Sequence, residues 1–84
     1  MTSNSPELTL YSTLDCQLCE AVEDRLKAES IPYIYIDIVH DEALVEAYGW
    51  FIPVLKWQDK VFKSPLDLDV IIHQIKNTSI QQLK

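Results

Sequence analysis

The chain has 84 residues and a formal charge of −6, from 13 acidic against 7 basic side chains. That length allows one domain with a single core and little surplus stability. The acidic balance leaves no basic patch for nucleic acid or an anionic membrane, and no apolar run reaches the roughly 18 residues that a transmembrane helix needs.

The first seven residues, Met1-Thr2-Ser3-Asn4-Ser5-Pro6-Glu7, are polar and lack the charged-then-apolar layout of a signal peptide. They are expected to form a disordered leader (1–7) before a domain spanning 8–77 and a flexible tail (78–84). A cytoplasmic location is expected. In that reducing setting a lone Cys-x-x-Cys points to redox activity or metal binding rather than to a structural bridge.

Leu8-Thr9-Leu10-Tyr11 alternates and is β-prone, which predicts a first short strand. After it comes Ser12-Thr13-Leu14-Asp15-Cys16-Gln17-Leu18-Cys19, which holds both cysteines of the protein at the start of a predicted helix. With Cys16 as the N-cap or the first helical residue, Cys19 lies one turn on, nearly on the same face. Their Cα atoms are then expected about 5–6 Å apart, within reach of a disulfide. Unpaired N–H groups at the helix start favour a Cys16 thiolate, so Cys16 is the expected nucleophile and the more buried Cys19 the resolving thiol. Asp15 and Glu20 oppose this, and no Lys or Arg lies between Glu7 and Arg25. Only a modest lowering of the Cys16 pKa is therefore expected. Cys19, Val22 and Leu26 form the buried stripe of the helix, and Pro32 stops it at or before Ile31.

Tyr33-Ile34-Tyr35-Ile36-Asp37-Ile38 is predicted as a second strand, with one face on a core and the other on a helix or solvent. It closes a βαβ unit and so implies a parallel pair. Asp41 is expected as the N-cap or in the first turn of a short helix with Ala43, Leu44, Ala47 and Tyr48 as its apolar side. Gly49, the single glycine, is expected at C′. Residues 54–57 and 60–62 predict a hairpin around Gln58-Asp59. Ser64 as N-cap, Pro65 at N1 and Asp67 at N3 predict a last helix whose inward stripe is Leu68, Ile71, Ile72 and Ile75. From Asn77 onward the polar chain is expected to fray.

This order, βαβαββα, predicts a four-stranded mixed sheet flanked by helices, an α/β fold. The segments Leu10-Tyr11-Ser12, Asp15-Cys16-Gln17-Leu18-Cys19-Glu20, Tyr35-Ile36-Asp37 and Ile52-Pro53-Val54-Leu55 resemble, in that order, the glutaredoxin-like members of the thioredoxin fold. The resemblance runs from Leu8 to about Lys76. It implies a thiol–disulfide oxidoreductase with Cys16 and Cys19 as its catalytic pair and a cis peptide at Ile52–Pro53 beside Cys16. Such a bond leaves the Ile52 backbone free to pair with an extended substrate segment. Thr13, Asp15 and Gln17 around the cysteines, and Trp50 and Phe51 just before the proline, are the further substrate-binding positions. The partner expected is a disulfide-containing protein or a small thiol, the reductant is open, and a monomer suffices.

The resemblance also makes glutathione a candidate electron donor, with no cofactor held permanently. Two departures are expected to weaken its use. Thr13 stands where glutathione-using members carry a lysine, and Lys63-Ser64-Pro65-Leu66-Asp67 replaces a Gly-Gly-x-Asp-Asp type turn. Ser64, Asp67 and the remaining N–H groups are left to bind the tripeptide. Two other readings stay open: a non-catalytic binding module that uses the proline groove, and a thiol-ligated metal carrier. A metal site needs about four ligands, and His40 and His73 lack ligand spacing to the cysteines, so no metal is expected.

Overall fold

The computed structural model describes residues 8–82. Strand β1 (Leu8–Ser12) lies between β2 (Ile34–Asp37), parallel to it, and β3 (Val54–Trp57), antiparallel to it, and β4 (Lys60–Phe62) extends the sheet beyond β3. The sheet order β2-β1-β3-β4 is the mixed sheet expected from the sequence. Helix α1 (Gln17–Ala28) makes the crossover from β1 to β2, α2 (Glu42–Tyr48) follows a 3₁₀ turn at Ile38–His40, and α3 (Leu68–Gln82) closes the chain.

The core forms because alternate strand residues share a face. Leu8 and Leu10 of β1 and Leu55 and Trp57 of β3 point one way, where Val22 and Leu26 of α1 and Ile71, Ile72 and Ile75 of α3 meet them. The same alternation sends Tyr11 to the opposite face, where its ring lies 4.9 Å from that of Tyr48 in α2. Beside the core, Arg25 ties α1 to α3. Its guanidinium donates to Asp69 at 2.7 Å and to Glu29 at 3.2 Å, and Lys76 reaches Glu29 at 2.5 Å.

Four local expectations are corrected. β2 ends at Asp37 because the Asp37 carboxylate accepts from Val39 N–H at 3.0 Å and turns the chain into the 3₁₀ segment. As an edge strand it also leaves Ile34 and Tyr35 exposed rather than sandwiched. Helix α2 buries no residue: Leu44 and Tyr48 are half-buried, whereas Ala43 and Ala47 face solvent. Gly49 is the C-cap itself, at φ −55°, not a left-handed C′ residue. Its missing side chain matters for space, since a Cβ there would stand 2.5 Å from the Val45 carbonyl oxygen.

The fourth correction concerns the last helix. It starts at Leu68, with Asp67 in the capping role: the Asp67 carboxylate accepts from Val70 N–H at 3.3 Å and its carbonyl from Ile71 N–H at 3.0 Å. Ser64 and Pro65 precede it in a loop, joined by a cis peptide. Both Leu66 and Leu68 pack against the core. On one continuous helix, residues two apart point about 200° away from each other, so a start at Pro65 would pull one of them off. Helix α3 continues past Asn77 to Gln82. The expected leader lies outside the described residues.

Candidate functional site

The turn from β1 into α1 builds the site. Asp15 takes a left-handed conformation (φ 61°), which a short polar side chain tolerates better than most. That reversal delivers Cys16 in an extended conformation (φ −104°, ψ 103°) as the N-cap of α1. Cysteine here does what Ser or Asp usually does: its Sγ accepts from Cys19 N–H at 3.1 Å. Cys16 and Cys19 are joined as a disulfide with Cα atoms 5.2 Å apart, inside the expected interval.

The two sulfurs differ in access. Cys16 is half-exposed, whereas Cys19, on the inward stripe of α1 with Val22 and Leu26, is 1% exposed. An incoming group meets Cys16 first. Among the described residues no cation pairs with Asp15 or Glu20 on either side of the cysteines. The field at Cys16 is therefore set by the helix terminus against two nearby carboxylates.

The proline loop faces this turn. Ile52–Pro53 is cis, Pro53 is buried and Ile52 half-buried. Pro53 and Leu18, the residue preceding Cys19, line one groove, which places the loop alongside the cysteine helix. Phe51 is held by hydrogen bonds at both backbone ends, its N–H to Tyr48 at 2.8 Å and its carbonyl from Ser64 N–H at 3.0 Å. The Lys63 ammonium stands 4.5 Å from its ring centre. Trp50 is 92% exposed, so of the two aromatics it is the one that offers its whole face to solvent.

Thr13 is half-buried and its carbonyl accepts from the buried Ser12 hydroxyl at 3.3 Å; Asp15 and Gln17 are exposed. Ser64 borders the groove with Pro53, while Asp67 spends one carboxylate oxygen on the α3 cap. His40 lies in the 3₁₀ turn, and His73 on α3 bonds Asn77 at 2.7 Å. Among the described residues no cluster of three or more His, Cys, Asp or Glu is placed to hold a metal, and no helix is long and apolar enough to cross a membrane.

The sequence reading overlooked the apolar groove wall: Leu18, Ala21, Pro65 and Leu66. One signal was available. Leu18 lies off the buried stripe of α1, where an amphipathic helix ordinarily carries a polar residue.

Three comparisons bear on this arrangement. A family model described as Glutaredoxin-like domain (DUF836) matches residues 7–81. Among solved structures, the chain is similar to the Northeast Structural Genomics target protein XcR50 from X. campestris, at 33% identity and a TM-score of 0.69, over 83% of this chain and 96% of that one. It is also similar to a mutant of the thioredoxin-like protein BC3987, at 22% identity and a TM-score of 0.57, over 69% and 81% of the two chains. That second likeness speaks for the fold alone. No curated protein matches the sequence.

Proposed function

This chain belongs to the glutaredoxin-like domain family, and from that premise we propose that it is a thiol–disulfide oxidoreductase with a two-cysteine mechanism. In the dithiol state the Cys16 thiolate attacks one sulfur of a substrate disulfide. A Cys16–substrate disulfide forms and the other substrate sulfur leaves as a thiolate, which takes up a proton. The Cys19 sulfur, having lost its proton, then attacks Cys16, forms the Cys16–Cys19 bond and expels the second substrate thiol. The substrate gains two electrons and two protons, and the protein ends as the disulfide. A dithiol or two monothiol donors reverse these steps on the protein.

One observation carries the reading: a half-exposed Cys16 at a helix N-cap is joined to a buried Cys19 one turn away. That asymmetry supports attack by the first sulfur and resolution by the second. Ile52 and Pro53 dock the substrate backbone, and Thr13, Asp15, Gln17, Phe51 and the exposed Trp50 contact it around the cysteines. Glutathione is a weak donor in this proposal, because Thr13 gives its carboxylate no cation and Asp67 adds a like charge. The protein acts as a monomer in the cytoplasm.

The test is trapping. A reduced Cys19→Ser variant incubated with a disulfide substrate is expected to accumulate a one-to-one mixed disulfide through Cys16, and Cys16→Ser is expected to accumulate none. Full biological activity retained by Cys16→Ser would instead favour a non-catalytic binding module.

A further inference from the structure

Beside the cysteine pair lies a groove of about 240 Å³. Leu18, Ala21 and Val22 of α1 form one wall, and Pro53, Pro65 and Leu66 the other; among the described residues no charged side chain lines it. Its size is below the roughly 300–1,000 Å³ of clefts that enclose drug-sized ligands, and it suits a single side chain. Leu18, 64% exposed, is an apolar residue kept at the solvent side of the helix. With Ala21 three residues on and the buried Val22 four on, it widens the apolar face of α1 outward from the buried stripe.

On the far side of the groove, Pro65 and Leu66 also border a neighbouring hollow lined by Asp67, Asp69 and Arg25. Arg25 is already bonded to Asp69 and Glu29, and Asp67 forms no ion pair among the described residues. The far end of the groove is therefore negative, as are the exposed Asp15 and Glu20 flanking the cysteines. Carboxylates brought here meet like charge, whereas ammonium or guanidinium groups meet opposite charge.

We infer that this groove is a specificity pocket for an aliphatic side chain next to the reactive cysteine of a protein substrate, within a segment of positive rather than negative charge. The inference rests on the proposed oxidoreductase activity and assigns the substrate class of that site.

Four peptide disulfides test it. Two have a Leu-Cys-Leu centre and two a Ser-Cys-Ser centre, each flanked either by lysines or by glutamates. The rate at which each oxidises the reduced protein is divided by its rate with dithiothreitol, which removes differences in intrinsic reactivity. The leucine centre is expected to lead serine by roughly 5-fold or more. Lysine flanks should lead glutamate by about 3-fold at low salt, with the gap closing as salt rises. Leu66→Ser should shrink the leucine preference, and Leu18→Ser, at an exposed position, gives the same readout should the first variant not fold. Asp67→Ser keeps a capping oxygen and should shrink the lysine preference. Equal normalised rates, or a preference for the serine or glutamate peptides, would overturn the pocket while leaving the oxidoreductase reading intact. Oxidation by none of the four would overturn that reading, and the pocket with it.

Discussion

In the proposed mechanism Cys16 has two roles that compete for one sulfur, since the atom that caps α1 by accepting from Cys19 N–H is also the one a substrate would have to reach. The cap holds the sulfur at the helix terminus, where a thiolate is favoured, and the half-exposed setting leaves it open to attack. Trp50 has the highest fractional exposure among the described large apolar residues. Because it buries so little, Trp50→Ala should change folding stability by no more than about 0.5 kcal/mol. It should nonetheless slow reduction of a folded disulfide protein more than that of a small disulfide, as measured by paired insulin and small-disulfide assays. Equal slowing in both assays would remove Trp50 from the partner contact.

Among the elements, α2 depends most on its ends. It buries no residue, and Asp41 accepts from both Ala43 N–H (2.9 Å) and Leu44 N–H (3.3 Å). Asp41→Ala should cost about 1 kcal/mol in urea unfolding and raise amide exchange first in α2. The α1–α3 ion cluster gives an acid-side prediction. Lys76, and after it Arg25, hold the Glu29 carboxyl below its ordinary value of 4.5. That contribution is present above pH 4.5 and is lost as pH falls through the lowered value. Glu29→Gln should flatten the acid limb of a stability-against-pH curve. On the alkaline side, burial and the hydrogen bond to Glu23 push the Tyr33 phenol up from 10.0 to about 12. Unfolding is therefore favoured as pH rises from 10 toward 12, and Tyr33→Phe should remove that loss. The elements themselves were legible in the sequence wherever a local pattern had one reading. The 19-22-26 stripe, the Asp41 cap and the 54–57 and 60–62 hairpin pattern all match. The misses arose where two local signals competed, as when Ser64-Pro65 resembled a helix start but packing of both Leu66 and Leu68 moved it to Asp67. Apart from the off-stripe Leu18, the groove wall left no mark in the sequence, because Pro53, Leu18 and Leu66 meet only in three dimensions.

At the scale of the whole molecule, one small core carries the site. Leu26, fully buried on the same helix as the cysteines, packs among residues of β1, β3 and α3. Leu26→Ala should cost about 2–5 kcal/mol, a large share of the roughly 5–15 kcal/mol available to a domain, and should show as a lower urea midpoint. The core holds α1 on the sheet, and α1 sets the distance between the sulfurs, so stability and the proposed redox chemistry share a foundation. The proposed activity requires Cys16 and Cys19 to form a working redox couple. Thiol trapping of the protein equilibrated in graded dithiothreitol and glutathione buffers tests this most directly. A single reversible two-electron transition is expected between about −300 and −180 mV, and none in Cys16→Ser. A pair that stays reduced in every buffer, or stays oxidised in all of them, would contradict it.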